Sequence, residues 1–406
     1  MEASRPLFPP LQEECCLMRH QAQLSTGVIS VDIDQAMVPA DEMFGFAERI
    51  NPKRAFLFVS KVLGRHIPVA PEKMHQSFTM LAEQIDAELP GPVLFIGMAE
   101  TAIGLGAGVH MEYSRQANRA DAVFLCTTRH DLGSEKLCEF SEDHSHATQH
   151  LIHMPQDEKT REMLSRVRSL VLVDDEASTG NTFANLFAAL PKEITGNVEK
   201  IKLVTLTDWS NGAAEQKLQG DVESISLIRG RYTWLRDEAV QFPSVPKAGA
   251  TNTKPEFKPV SDLDWGRLGV IDHQNTLPLP DALDLKGHVL VLGTGEHVWQ
   301  PYRLAFALEQ AGHQVSYASI TRSPISVGHV IGDKTSFSDN YGLGVANYCY
   351  NLDHKNYGTV ILCVESPLSY VDPILYARLK SICRNVILIS SVDGTAKLEN
   401  NEEIAA

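Results

Sequence analysis

The stretch LVLVDDEASTGNT, from Leu170 to Thr182, decides how this chain is read. Its first four residues are a continuous apolar run, as in a strand covered on both faces of a parallel sheet. The run passes directly into Asp174, Asp175 and Glu176, then into the small-residue turn Ala177, Ser178, Thr179, Gly180, Asn181 and Thr182. A helical pattern, FANLFAALPKE (183–193), begins at once. Each part has a physical use. Turn amides and the hydroxyls of Ser178, Thr179 and Thr182 gather at a helix N-terminus, where unpaired N–H groups and the helix dipole favour a phosphate-sized anion. Gly180 lets the backbone come close to a ligand or take a positive φ. Asp174 and Asp175 would repel that anion but accept hydrogen bonds from the hydroxyls of a sugar attached to it. The structural alternative is a plain strand–turn–helix junction with a capping aspartate. A P-loop is excluded, since G-x-x-x-x-G-K-[ST] does not occur.

Around this stretch, short β-type runs alternate with helical patterns, so the expected class is α/β. Strands are expected at 27–33, 55–60, 93–97, 122–127, 170–174, 202–206 and 224–228. Helices are expected at 41–50, 72–88, 103–118, 157–167 and 182–190. The segment FPSVPKAGATNTKPEFKPVSD (242–262) holds four prolines and no periodic apolar face, and reads as a linker. It would separate a domain over 1–241 from a smaller α/β domain over 263–398. There, strands are expected at 289–293, 314–319, 359–363 and 386–390, with helices at 299–311 and 372–383. The polar tail, 399–406, is expected to lack structure.

With 406 residues, two domains is the natural expectation. The net charge of −15 opposes a general polyanion-binding surface, so no nucleic-acid partner is expected and any phosphate site must be local. The seven cysteines include no C-x-x-C pair and no disulfide-like framework. No signal peptide and no membrane-length apolar run is visible, and a cytoplasmic location is expected.

The Asp174–Thr182 stretch resembles the 5-phosphoribosyl-1-pyrophosphate (PRPP) signature of type I phosphoribosyltransferases. That resemblance implies a Rossmann-like parallel sheet with a flexible hood. It also implies that Asp174 and Asp175 hold the ribose diol and meet Mg²⁺ through PRPP, while Ala177 to Thr182 wrap the 5′-phosphate. The strand at 93–97 and its turn Met98, Ala99, Glu100, Thr101 then face the diphosphate, a turn often held with a strained or non-proline cis peptide. Glu100 is unexpected beside an anion, and three uses stand open for it: a partner for Mg²⁺ or its water, a partner for an arginine, or a helix-capping acid. NPKRAFLFVSKVLGRH (51–66) brackets a strand with cations. Orotate phosphoribosyltransferases have a Ser/Lys pair here, so Lys61 and Arg65 are candidates for the diphosphate or base pocket, with Arg54 behind them. The polar stretch 128–150 holds the place of the hood. Arg129 and Lys136 are candidates to meet the leaving pyrophosphate. His144 and His146, with His150 nearby, are candidates for acid–base work, base stacking or metal binding. An aspartate found in purine-salvage relatives is replaced here by Ser178, which resembles orotate-type enzymes.

In the C-terminal part, VLVLGTGE (289–296) ends in G-x-G without a third glycine, a weak dinucleotide signal. Thr321-Arg322-Ser323-Pro324 is the signature of the TRSP domain. That domain follows phosphoribosyltransferase domains in proteins encoded beside tellurium-resistance and related stress gene clusters. Arg322 with Ser323 can clamp a phosphate or carboxylate, and Glu296 and Asp339 can add hydroxyl or metal contacts; a structural Arg–Asp pair is the alternative. His297 stands where a more apolar residue is expected. The resemblance implies a PRPP- and Mg²⁺-dependent transferase acting on an unidentified nitrogenous acceptor, and by analogy a homodimer. The alternatives are a non-catalytic PRPP-binding regulator and a hydrolase or phosphorylase of a phosphoribosylated compound.

Overall fold

The computed structural model describes residue 8 and residues 18–49, 54–141, 149–240, 266–273 and 284–397. The linker expected at 242–262, the tail at 399–406, and His144 and His146 lie outside the described residues. The first domain is built on strands β1 (Met18–Leu24), β2 (Gly27–Ala36), β3 (Val93–Gly97), β4 (Ala122–Cys126), β5 (Ser169–Ala177), β6 (Lys200–Asp208) and β7 (Asp221–Arg236). They form one sheet in the order β1-β2-β7-β6-β5-β3-β4. β7, β6, β5, β3 and β4 run parallel; β1 and β2 add an antiparallel edge. All residues of β3 and β4 are buried, which explains their unbroken apolar sequences.

From β3 the chain passes to β4 on one side, then returns to β5 on the other. That reversal opens a crevice beyond the carboxyl ends of β3 and β5, the position at which open α/β sheets bind ligands. Gly97 of β3 pairs with Val173 of β5, so the turn at 98–101 and the acidic loop at 174–182 emerge side by side. Helices α1 (Pro71–Ala82), α2 (Ala102–Gln116) and α3 (Asn181–Ala189) complete the layer near the site.

The second domain has strands β8 (Val289–Gly293), β9 (Val315–Ser319), β10 (Thr359–Val364), β11 (Asn385–Ser390) and β12 (Gly394–Lys397) in the order β9-β8-β10-β11-β12, parallel except for β12. Helices α4 (Trp299–Gln310) and α5 (Pro373–Ile382) accompany them. A hairpin of Lys334–Ser338 with Ala346–Tyr350 stands beside the sheet.

One expected element is corrected. Residues 41–50 are not a helix: a single turn at Ala40–Met43 gives way to a strand, Phe44–Glu48, paired with Phe56–Ser60. Across this hairpin the Phe44 and Phe58 rings meet edge to face at 5.4 Å and the Phe46 and Phe58 rings at a tilt at 5.5 Å, and these cross-strand aromatic contacts favour the extended form. The polar stretch after β4 also folds, as the hairpin Lys136–Ser141 with Gln149–His153.

The domains share backbone pairing. The segment at 64–69 adds to the edge strand β9: Tyr317 and Val69 exchange N–H···O bonds of 2.7 and 2.9 Å, and Ser319 N–H donates to the Gly64 carbonyl at 2.9 Å. Gly64 has φ of 68°, and a Cβ there would lie 2.7 Å from the Tyr317 ring. In the other direction, residues 266–270 cover the edge strand β4, with Phe124 and Val270 exchanging bonds of 2.7 and 2.9 Å. Edges covered this way cannot pair with another chain. Phe78 of α1 packs on Trp299 and Tyr302 of α4, with centroids 6.2 and 5.4 Å apart, so the apolar core is continuous between the domains.

Candidate functional site

The crevice beyond β3 and β5 is a cleft of about 610 Å³. Its sides come from the 98–101 turn, the 174–182 loop, the 54–66 segment, the end of β7 and the Thr321–Ser323 loop of the second domain. A volume of this order suits a small organic ligand. Five arginines line it (Arg49, Arg54, Arg65, Arg129 and Arg322) in a chain whose net charge is −15. The positive charge is therefore local, as the composition required.

Of the expected site residues, Asp174, Asp175, Ser178, Thr179, Asn181 and Thr182 line the cleft. Ala177 is buried, and its carbonyl accepts the Trp209 N–H at 2.7 Å, which fixes the start of the turn. Gly180 has φ of 72° and sits against Ala214, where a Cβ would come within 2.4 Å of the Cα. Asp174 accepts the N–H of Asp175 at 2.9 Å. Burial raises the pKa of Asp175 above the usual carboxylate range, although a hydrogen bond from the Thr101 hydroxyl works the other way. Glu176 is raised by burial too, against the pull of the Arg54 guanidinium with which it forms an ion pair.

The 98–101 turn is cis at Ala99–Glu100. The Ala99 N–H points to the Thr127 hydroxyl at 2.7 Å, and that hydroxyl also meets His150 Nδ1 at 2.9 Å. Thus this amide faces the sheet side rather than an anion, and His150, stacked on Phe140, is a support of the hairpin. Of the three uses open for Glu100, the geometry shows arginine pairing: Arg65 bonds one carboxylate oxygen and Arg322 the other. Burial disfavours the charged form of Glu100, but these two guanidinium groups hold its carboxyl below the usual range. Arg129 donates to the Ala99 carbonyl at 3.1 Å and to the Gln149 carbonyl at 2.8 Å, linking turn and hairpin.

Two expected cations lie elsewhere. The Lys61 ammonium donates to the Asp41 carbonyl at 2.6 Å at the surface, and Lys136 pairs with Glu139 at 3.3 Å on the exposed hairpin. Neither lines the cleft. In the second domain, Arg322 and Ser323 do line it, whereas Glu296 and Asp339 do not. Glu296 is buried, accepting the Arg129 N–H at 2.6 Å and the Arg267 guanidinium at 3.0 Å, and Arg267 continues to Glu365 at 2.7 Å. Asp339 accepts the N–H groups of Tyr341 (2.8 Å), Leu343 (3.1 Å) and Val345 (2.6 Å), closing its own loop. His297 is buried, and burial pushes it down to about 3, so it serves as a neutral core residue.

The sequence reading missed the aromatic wall. Phe56 meets Tyr232 and Trp234 at 5.2 and 5.1 Å, Phe58 stacks on Trp209 at 4.9 Å, and the Arg54 guanidinium lies 5.0 Å over Phe56. A flat apolar surface next to an Arg–Glu pair can hold a planar polar ring. The available signal was the alternation of Phe56 and Phe58 with that of Tyr232 and Trp234, two strands far apart in sequence.

Asp174 and Asp175 offer the cleft hard carboxylate oxygens, the donor type Mg²⁺ takes when a ligand's own oxygens and water fill the rest of its shell; among the described residues no cluster of three or more His, Cys, Asp or Glu forms a metal site by itself.

Residues 43–231 match the family described as phosphoribosyl transferase, and residues 274–376 match the TRSP domain found C-terminal to it. No curated protein matches the chain. Among solved structures, the chain is similar to adenine phosphoribosyltransferase from Rhodothermus marinus at 15% identity, covering 46% of this chain and 94% of that one, with a TM-score of 0.31. The enzyme of the same name from Trypanosoma brucei, in complex with AMP, pyrophosphate and ribose-5-phosphate, gives 9% identity, 46% and 77% coverage and a TM-score of 0.32. Orotate phosphoribosyltransferase from Aeropyrum pernix gives 15% identity, 43% and 78% coverage and a TM-score of 0.26.

Proposed function

We infer the reaction from the premise that this chain belongs to the phosphoribosyl transferase family and carries its C-terminal TRSP domain. The cleft binds PRPP with Mg²⁺ and transfers the 5-phosphoribosyl group to a nitrogenous, base-like acceptor, releasing pyrophosphate. One observation carries this reading: the acidic turn at 174–182 and the arginine-flanked turn at 98–101 face a single cleft from adjacent parallel strands.

Asp174 and Asp175 accept the 2′- and 3′-hydroxyl protons of the ribose, and the amides and hydroxyls of Ser178 to Thr182 hold the 5′-phosphate at the start of α3. The diphosphate lies toward Arg65, Arg129 and Arg322. When bound, Mg²⁺ supplies positive charge to the phosphate oxygens. The C1′–O bond to pyrophosphate breaks and a C1′–N bond forms; the acceptor nitrogen gives up its proton. Charge growing on the leaving group meets guanidinium groups already in place. The acceptor ring rests on Phe56, Tyr232 and Trp234, with Arg54 and Glu176 at its edge. We assign the hood, which covers the reacting sugar and excludes water, to the paired strands Lys136–Ser141 and Gln149–His153. His144 and His146, which lie between those two strands in sequence, remain our candidates for proton transfer. From the TRSP resemblance we propose a tellurite-resistance or stress-linked pathway for the reaction, carried out by a cytoplasmic homodimer. No helix among the described residues is long and apolar enough to cross a membrane.

The test is pyrophosphate release from Mg²⁺-PRPP against a panel of bases and cell extract, beside an Asp174→Asn/Asp175→Asn control. Acceptor-dependent release absent from the control establishes the transferase, and mass analysis names the product. PRPP binding without turnover would favour a regulator. Turnover of a ribosylated product that needs no pyrophosphate would favour a hydrolase.

A further inference from the structure

Arg322 stands on a loop that both domains fix. It follows β9, at the carboxyl end of a parallel sheet. Thr321 exchanges backbone bonds of 2.9 and 2.8 Å with Tyr348, the Ser323 carbonyl accepts the Tyr350 hydroxyl at 2.7 Å, and Ser326 N–H donates to the Glu48 carbonyl at 3.0 Å. From this loop the guanidinium reaches Glu100 in the diphosphate-side turn of the other domain.

The two arginines on Glu100 differ. Arg65 is 5% exposed, and its Nη1 is anchored on the Gly295 carbonyl at 2.9 Å. Arg322 is 18% exposed and lines the cleft, and among the described residues its Nη1 has no hydrogen-bond partner. At the turn one carboxylate is shared by two guanidinium groups, and both the Glu296 carboxylate and Arg129 are close enough to act on it. Arg322 is not needed to join the domains, because the pairings of 64–69 with β9 and of 266–270 with β4, and the Phe78–Trp299 core, already do so. A partly exposed guanidinium that lines this cleft, with Nε and Nη2 on Glu100 and Nη1 still to be used, has the donors and the charge that a diphosphate group takes.

We propose that Arg322, supplied by the C-terminal domain, is a diphosphate-binding residue of the transferase cleft, passing from Glu100 to the pyrophosphate group of bound PRPP. The inference rests on the PRPP reading of the cleft and gives the second domain a place in it: a transferase site completed by an arginine from the TRSP loop.

The full chain, as wild type, Arg322→Ala and Arg322→Lys, is titrated by calorimetry with Mg²⁺-PRPP, Mg²⁺-pyrophosphate and ribose 5-phosphate. Removing one charge-assisted contact should weaken the two diphosphate ligands by about tenfold or more and leave ribose 5-phosphate unchanged, with Lys intermediate. The Lys variant keeps the charge and answers the question if the Ala variant does not fold. Equal weakening of all three ligands, or no weakening of the diphosphate pair, overturns the proposal. Wild-type protein that binds ribose 5-phosphate but neither diphosphate ligand overturns it too. Wild-type protein that binds none of the three overturns the PRPP reading itself, and this inference with it.

Discussion

Gly180 shows how much of the site is decided at single residues. Its φ of 72° and the 2.4 Å approach to Ala214 both exclude a side chain. Gly180→Ala should cost about 1–3 kcal/mol of stability and weaken ribose 5-phosphate binding, read by urea unfolding and by titration. Unchanged values for both would show that the turn is not rigid. The residues of 174–182 were legible in sequence because their task is local: strand, acids, turn and helix follow each other in the chain. Glu100 was legible only as an oddity, because its partners Arg65 and Arg322 are brought to it by tertiary structure across 35 and 222 positions. Lys61 and Arg65 could not be told apart by type. On the bent segment after Ser60, Lys61 turns outward to Asp41 and Arg65 turns inward to Glu100.

At the level of elements, the strands that position the site were readable as uninterrupted apolar runs. The helix expected at 41–50 was not there, because pairing of Phe44–Glu48 with Phe56–Ser60 outweighs a weak helical period. The ends of β7 were underestimated as well. Its outer part, carrying Tyr232 and Trp234, alternates in burial and pairs with β2, so it lacks the continuous apolar signal of the core. Domain joining depends on equally local contacts. Gly64→Val places a β-branched residue at a positive φ against Tyr317 and should break the 64–69 pairing with β9. Trp299→Ala removes a fully buried ring and should cost roughly 3–5 kcal/mol. Both variants should lower the urea midpoint. A wild-type midpoint in Gly64→Val would show that this pairing contributes nothing.

For the whole molecule, backbone pairing in both directions and a shared apolar core predict one unfolding event. Tryptophan fluorescence and far-ultraviolet circular dichroism should therefore trace coincident urea transitions; two separated transitions would show that the domains are independent. Acid should weaken this fold in a defined window. Burial pushes His110 and His130 down to about 4, and His66 and His297 to about 3, from 6.5. The unfolded chain takes up protons below 6.5 while the folded chain does not, so stability falls as pH drops from 6.5 toward 4. The loss is about 1.4 kcal/mol per pH unit for each such histidine. Urea midpoints at about pH 7.5 and pH 5 check this sign, and equal or higher stability at the lower pH would contradict it.

Everything proposed for the cleft depends on the Asp174–Thr182 turn holding PRPP. Calorimetric titration of Mg²⁺-PRPP into the wild type and into the Asp174→Asn/Asp175→Asn variant tests it most directly. Saturable one-site binding to the wild type is expected. Each lost carboxylate contact should cost about 1.5–3 kcal/mol, so affinity in the variant should fall on the order of a hundredfold or more. Equal affinity in the two proteins, or no binding to the wild type, would contradict it.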